Sequence, residues 1–241
     1  MMPTDFTSLR TWVSELVDVV MPPVCPVCGK AMLPGERTLC LQCRFELPRI
    51  AISDFTDNEI HTRLAMTARP ITRASSVFHY LPASPHSRIV LATKYARRPD
   101  VGCSLLAEHA RTLMSQGFFD GIDMIVPVPV HWIKRLRRGY NQSEELARAV
   151  SSVTSIPVIS LISARRHGTQ THRSASLRLD NARSAFHVSP TAPDLADASH
   201  ILLIDDVITT GATLIACRDI IHALSPATAV SVLTLALTRL R

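Results

Sequence analysis

The sequence predicts an α/β fold, a parallel sheet flanked by helices, with a small four-cysteine module ahead of it. Three observations predict this. Ile201-Leu202-Leu203-Ile204 is an aliphatic run suited to a strand buried on both faces, and residues 228–238 form a second near-continuous apolar run. After the first run come two acids, a hydroxyl-rich turn, and then Leu214, Cys217, Ile221 and Leu224 at helical spacing, so a strand leads through a turn into a helix. Upstream, Cys25-x₂-Cys28 and Cys40-x₂-Cys43 are separated by 11 residues.

The strand–turn–helix stretch organises the rest. Asp205 and Asp206 are adjacent carboxylates at the end of an apolar strand, and buried charges need partners. Thr209, Thr210, Gly211, Ala212 and Thr213 then fall at a helix N-terminus, where unpaired N–H groups and the helix dipole favour an anion. Carboxylates beside a phosphate cradle suit a sugar phosphate. The acids would hold hydroxyls, directly or through Mg²⁺, and the turn would hold the phosphate.

With 241 residues, the chain can hold one good-sized core and a small module. The divisions expected are an amphipathic helix over 1–24, a zinc-ribbon-like module over 25–48, a connector over 49–72 with one short helix, and the main domain over 73–241. Hydrophobic residues are 46% and charged residues 19%, as in a soluble globular protein. No run of about 18 apolar residues appears, so no membrane span is expected. The net charge of +6 and the pI near 9.3 favour anionic partners without choosing among them. Asp5, Glu15 and Asp18 interrupt the N-terminal apolar residues, so no signal peptide is expected and a cytoplasmic location is. Phe6, Leu9, Trp12, Val13, Leu16, Val17 and Val20 give one helical face. It is expected to pack on the protein, since its polar side lacks the basic residues of a lipid binder.

Cys25, Cys28, Cys40 and Cys43 are read as a closed four-thiolate Zn²⁺ site, structural rather than catalytic because no ligand position is left open. Gly29, Pro34 and Gly35 supply turns in the short gap. Disulfides are disfavoured by the missing secretion signal, and a redox C-x-x-C by the missing strand–helix context. The module's large apolar residues are Leu33, Leu39, Leu41, Phe45 and Leu47, too few to fold without metal. Cys103 and Cys217 fall in apolar helical patterns and read as core thiols.

In the main domain, strands are expected at 77–80, 123–130 and 157–162, and helices at 87–95, 101–116 and from 144 to about 153. Pro127 and Pro129 cannot donate to a sheet and mark where a strand leaves it, at the carboxyl end where open α/β sheets place ligands. Lys134, Arg135, Arg137 and Arg138 follow at once, read as a solvated loop, as a pyrophosphate and sugar-phosphate clamp, or as a nucleic-acid patch; the preceding exit favours a site over a solvated loop. Residues 163–181 are polar and basic, and read as a mobile lid that keeps water from the site. Residues 189–199 read as a linker.

Residues 201–213 resemble the phosphoribosyl-pyrophosphate (PRPP) motif of type I phosphoribosyltransferases. Together with the four cysteines, Lys94-Tyr95, Val126-Pro127-Val128-Pro129, Arg138-Gly139-Tyr140-Asn141-Gln142, Thr169-Gln170, Arg178 with Asn181, and Phe186, the chain resembles the ComF family over nearly its whole length. These are competence-associated phosphoribosyltransferase-like proteins, also called GntX-like. Members often carry Phe where Tyr140 stands and space the threonine and glutamine apart.

The resemblance implies a type I phosphoribosyltransferase fold, with Asp205 and Asp206 on the ribose hydroxyls and Mg²⁺ nearby. It places Thr209, Thr210, Gly211 and Thr213 around the 5-phosphate and the loop from Val128 on pyrophosphate. Arg135 and Arg138 would stabilise the departing pyrophosphate, and Asp205 and Asp206 would be the catalytic pair. It also implies a role in DNA uptake during natural transformation, alongside a helicase-like partner and imported single-stranded DNA. The alternatives are an active phosphoribosyltransferase of nucleotide metabolism, or a sensor of PRPP or nucleotides without chemistry. Aromatic residues are only 5%, which disfavours a broad base-stacking platform.

Overall fold

A computed structural model describes residues 22–51, 54–65, 70–165, 185–195 and 198–239. The chain divides into two compact units, Met1–Leu47 and Pro48–Arg241. The expected helix over 1–24 lies outside the described residues apart from its last three positions, and the expected lid is described only at 163–165.

In the first unit, the Cys25–Cys28 knuckle closes with Gly29 N–H donating to Cys25 O at 2.8 Å and Cys25 N–H to Lys30 O at 2.9 Å. Gly29 and Gly35 take positive φ, +74° and +94°. The second pair sits on helix α1 (Leu41–Phe45), whose N-cap is Cys40. The Glu36 carboxylate accepts from the backbone N–H groups of Leu33 and Leu41 and so ties the two halves together. Of the five large apolar residues expected to fill this module, only Leu39 and Leu47 are buried. Leu33, Leu41 and Phe45 are exposed, and among the described residues Cys25, Cys40, Cys43, Val27 and Met32 supply the rest of the interior, while Cys28 is exposed.

The second unit is built on a four-stranded parallel sheet. Its elements in order are α2 (Glu59–Leu64), β1 (Ala74–Tyr80), α3 (Ser87–Tyr95), α4 (Pro99–Met114), β2 (Met124–Pro127), α5 (Trp132–Arg138), α6 (Gln142–Thr154), β3 (Ile162–Ala164), β4 (Phe186–Val188), β5 (His200–Ile208), α7 (Ala212–Leu224) and β6 (Ala229–Thr238). The strand order is β1-β6-β5-β2, every pair parallel. β6, the last strand in the chain, lies inside the sheet, between β1 and β5. Strand side chains alternate between faces. Ile201 and Leu203 of β5 and Val230 and Val232 of β6 join Leu64, Leu214, Cys217 and Ile221 in one core layer. The intervening residues, such as Leu202 and Leu233, are buried on the opposite face, where α4 and α6 pack.

Three expectations are corrected. The acids do not end their strand: β5 runs through Asp205 and Asp206 to Ile208, because β6 continues beside it with Asp205 opposite Thr234 and Ile208 opposite Leu237. Residues 157–162 do not form one strand. Pro157 O and the Ile159 N–H bond to Ile125, Val158 makes an isolated parallel bridge, and the chain then turns so that β3 pairs antiparallel with β4. The basic run is a helix, α5, capped by His131 and ended by Gly139 at φ +84°.

Candidate functional site

The carboxyl ends of β2 and β5 open onto a cleft of about 500 Å³. β2 is an edge strand among the described residues, so Pro127 removes no ladder bond from a central position. Beyond it the Val128 N–H still donates to Ile204 O at 2.9 Å, which pins the start of the next loop against β5. Val128, Pro129, Val130 and His131 then form one wall of the cleft. α5 adds Lys134 and Arg138, which are i,i+4 neighbours on one helix face.

Asp205 and Asp206 lie in the cleft with different partners. Asp206 Oδ2 is 3.1 Å from Lys94 Nζ at the end of α3. Asp205 Oδ1 accepts from the Ser143 hydroxyl at 3.1 Å and from the Asp206 N–H at 2.8 Å. Burial pushes the Asp205 carboxyl up to about 7 from the ordinary 3.8, with the neighbouring Asp206 charge adding to it; the Asp206 N–H, Lys94 and Ser143 oppose the shift.

The hydroxyl-rich turn adjoins the acids. Gly211 caps α7 at φ +79°, a left-handed conformation, and the Ala212 N–H at the helix start donates to the Thr210 hydroxyl at 3.4 Å. A Cβ at this position would collide with the Leu64 side chain. α2 supports the turn from beneath. Arg63 donates to Thr209 O at 3.1 Å and to the Thr238 hydroxyl at 3.2 Å, and pairs with Glu59 at 2.5 Å. A guanidinium this deeply placed is held by such partners or not at all.

α6 also points its N-terminus at the cleft. Asn141 caps it by accepting from the Ser143 N–H at 3.1 Å and donates to Val128 O at 3.2 Å, joining helix and wall. Gln142 lines the cleft, is 1% exposed, and has neither amide atom hydrogen-bonded among the described residues. Ala164, Ala185 and Phe186, at one end of the β3–β4 ribbon, complete the lining with Thr213.

Of the residues singled out from sequence, the cleft brings together Val128, Arg138, Asp205, Asp206 and Thr213, with Thr209, Thr210, Gly211 and Ala212 forming the adjoining turn. Arg135 is not in the lining; it lies 3.6 Å from Glu144. Lys134 of the basic run is in the lining, whereas Ser143 and Arg63 join the site without having been marked by the sequence. The helical spacing of Lys134 and Arg138 is what puts these two cations of the run, and not Arg135 or Arg137, in the lining. Apart from Glu59 one helical turn away, the partners that bring Arg63 to the site, Thr209 and Thr238, lie 146 and 175 residues away and leave no local signal.

In the cysteine unit, the ligand atoms of Cys25, Cys28, Cys40 and Cys43 all lie within 4.8 Å of one another. Cys28 Sγ and Cys40 Sγ are 3.7 Å apart, close to the ~3.8 Å edge of a tetrahedron with Zn–S bonds near 2.3 Å. The four could hold one zinc ion. Cys217 is buried and Cys103 half-buried, and burial pushes the Cys103 thiol up to about 12.

No protein-family model matches the chain. The DNA utilization protein YhgH of Salmonella typhimurium is 29% identical over 196 residues, covering 79% of this chain and 80% of that one. Its Escherichia coli K12 counterpart is 29% identical over 197 residues with the same coverage. Competence protein F of Haemophilus influenzae is 37% identical over 94 residues, 38% of this chain and 41% of that protein. Among solved structures, adenine phosphoribosyltransferase from Leishmania tarentolae shares 13% identity at a TM-score of 0.36, over 72% of this chain and 80% of that one. Hypoxanthine-guanine phosphoribosyltransferase of L. donovani shares 17% at 0.35, over 57% and 67%. Likenesses that weak leave the fold to the chain's own topology, which is the parallel sheet flanked by helices that the sequence predicts. In sequence the chain is similar over 79% of its length to proteins named for DNA utilization, and over 38% of its length to competence protein F.

Proposed function

We propose that the cleft is a PRPP-type ribose-phosphate site and that the chain acts in the uptake or use of DNA. One observation carries the first half: an acidic pair, an open helix N-terminus and a cationic wall meet at the carboxyl end of one parallel sheet. Asp205 and Asp206 suit the vicinal hydroxyls of a ribose. The first turn of α7, with Thr209, Thr210 and Thr213, suits its 5-phosphate. Lys134 and Arg138 suit the pyrophosphate, charge against charge. The relatives named for DNA utilization and competence support the second half.

Carboxylate oxygens suit Mg²⁺, which would sit beside the acidic pair, with Asp205 the carboxylate free to meet it because Asp206 already has an ammonium partner. When bound with PRPP, Mg²⁺ supplies charge neutralisation to the pyrophosphate. Zinc on the four cysteines would be structural, since all four positions are protein thiolates. The chain's own part is to orient the sugar between acids and turn, and to set cations where pyrophosphate charge gathers.

Calorimetric titration of PRPP with Mg²⁺ tests this. Wild type should bind in the micromolar range, and Asp205→Asn/Asp206→Asn should weaken binding by about tenfold or more, the loss of charge-assisted hydrogen bonds. No heat with wild type would overturn the reading. Pyrophosphate release in the presence of candidate bases separates a transferase of nucleotide metabolism from a PRPP sensor.

A further inference from the structure

The acidic pair comes with a cation already in place. α3 ends in Thr93-Lys94-Tyr95, and this turn bonds to three parts of the site. Thr93 O accepts from the Tyr140 hydroxyl at 2.5 Å. Lys94 Nζ lies 3.1 Å from Asp206 Oδ2. The Tyr95 hydroxyl accepts from Arg138 at 3.1 Å, and the Arg138 guanidinium carbon stands 4.8 Å from the centre of the Tyr95 ring.

The turn is also fixed from behind. Thr93 Oγ1 donates to Ile89 O at 2.9 Å. Gly102 of α4 lies so close that a Cβ there would come within 2.7 Å of Thr93 Oγ1. Lys94 is thus delivered to Asp206 by a rigid element. The side chains of Lys94 and Asp206 are 22% and 12% exposed, so their attraction is screened far less than that of a surface pair.

This placement bears on how a phosphorylated sugar approaches. Two adjacent carboxylates repel a polyanion. Enzymes commonly relieve such repulsion with a divalent ion, and an ion ligated by Asp206 Oδ2 would have to displace this ammonium. Among the described residues, the charged side chains lining the cleft are Lys94, Lys134 and Arg138 against Asp205 and Asp206, and without Lys94 their excess of cations over carboxylates disappears.

We propose that Lys94 is a positioning residue that stands in for a divalent ion on the acidic pair, so that the ribose-phosphate moiety binds without metal on Asp206. This rests on the ribose-phosphate reading above. Ribose 5-phosphate is the suitable probe, because it lacks the pyrophosphate that would itself chelate Mg²⁺.

The experiment uses the full, zinc-loaded chain. Wild type should bind ribose 5-phosphate with a Kd that changes by less than about threefold on adding Mg²⁺. Lys94→Met should bind about tenfold or more weakly without Mg²⁺ and recover much of the loss with it, as expected for losing one charge-assisted contact. Lys94→Arg should behave as wild type. A second arm needs no sugar: electron paramagnetic resonance with Mn²⁺. Free wild type should show no Mn²⁺ site at the acids, and Lys94→Met should gain one that Asp206→Asn removes. Mn²⁺ bound through Asp206 as tightly in wild type as in Lys94→Met overturns the proposal, and so does an equal Mg²⁺ dependence of sugar binding in the two. If the Mn²⁺ arm gives the expected pattern but no protein binds ribose 5-phosphate, the ribose-phosphate reading falls and Lys94 still occupies a metal position.

Discussion

Asp205 carries a charge its surroundings oppose. Desolvation and the Asp206 carboxylate together raise its pKa to about 7, and the hydrogen bonds from Ser143 and the Asp206 N–H do not cancel them. A carboxyl whose pKa is higher in the folded chain binds its proton more tightly there than in the unfolded chain. Its contribution to stability is therefore fully present below the unfolded value near 3.8 and is lost as pH rises through about 7. Asp205→Asn keeps an oxygen that can accept both bonds and removes the titration. In urea unfolding, the variant should match wild type near pH 4 and exceed it at pH 8, by on the order of a few kcal/mol. A difference that does not grow with pH would show that Asp205 ionises freely. The acidic pair was legible in the sequence as two charges after an apolar run. That one carboxylate faces a lysine and the other a serine was not, because Lys94 and Ser143 reach it from separate helices.

At the scale of elements, what could be read depended on whether the signal was local. β5 and β6 announce themselves by aliphatic content, and α6 by its cap and its apolar positions. α5 hides, since four cations in five residues look like a solvated loop. It forms a helix because His131 and Gly139 cap it and because Arg and Lys are good helix formers. α5 buries none of its residues, and it exposes Trp132, Ile133 and Leu136 beside its cations. A helix with that mixture suits a single strand of nucleic acid, with phosphates on the cations and a base against the indole. Arg135 and Arg137 lie outside the cleft lining, so they separate this role from sugar binding. Arg135→Ala/Arg137→Ala should weaken binding of single-stranded DNA several-fold regardless of sequence, and lower the salt slope by roughly 1 to 2. Ribose 5-phosphate affinity should stay unchanged. An unaltered salt slope would remove α5 from DNA binding.

For the whole molecule, the two units hold themselves together by different means. Residues 48–239 have a layered core, Ile201, Leu203, Val230 and Val232 packed with Leu64, Leu214 and Ile221, that is large enough to stand on burial alone. Among its described residues the cysteine unit has few buried apolar side chains, and three of the large ones, Leu33, Leu41 and Phe45, are exposed. Four thiolates brought within 4.8 Å of one another repel once ionised, unless a cation joins them. The sequence shows this difference plainly: cysteine spacing in one part, aliphatic runs in the other. The prediction is a split response to metal removal. A strong chelator should release one zinc per chain and abolish the protection of residues 25–43 from proteolysis and thiol labelling. Among the described residues the lining of the cleft falls within 94–213, so ribose 5-phosphate affinity should change by less than about threefold, and the main thermal transition should persist. Zinc-free protein with its four thiols still protected would show that the module folds on its remaining contacts, and that the cysteines hold no structural ion.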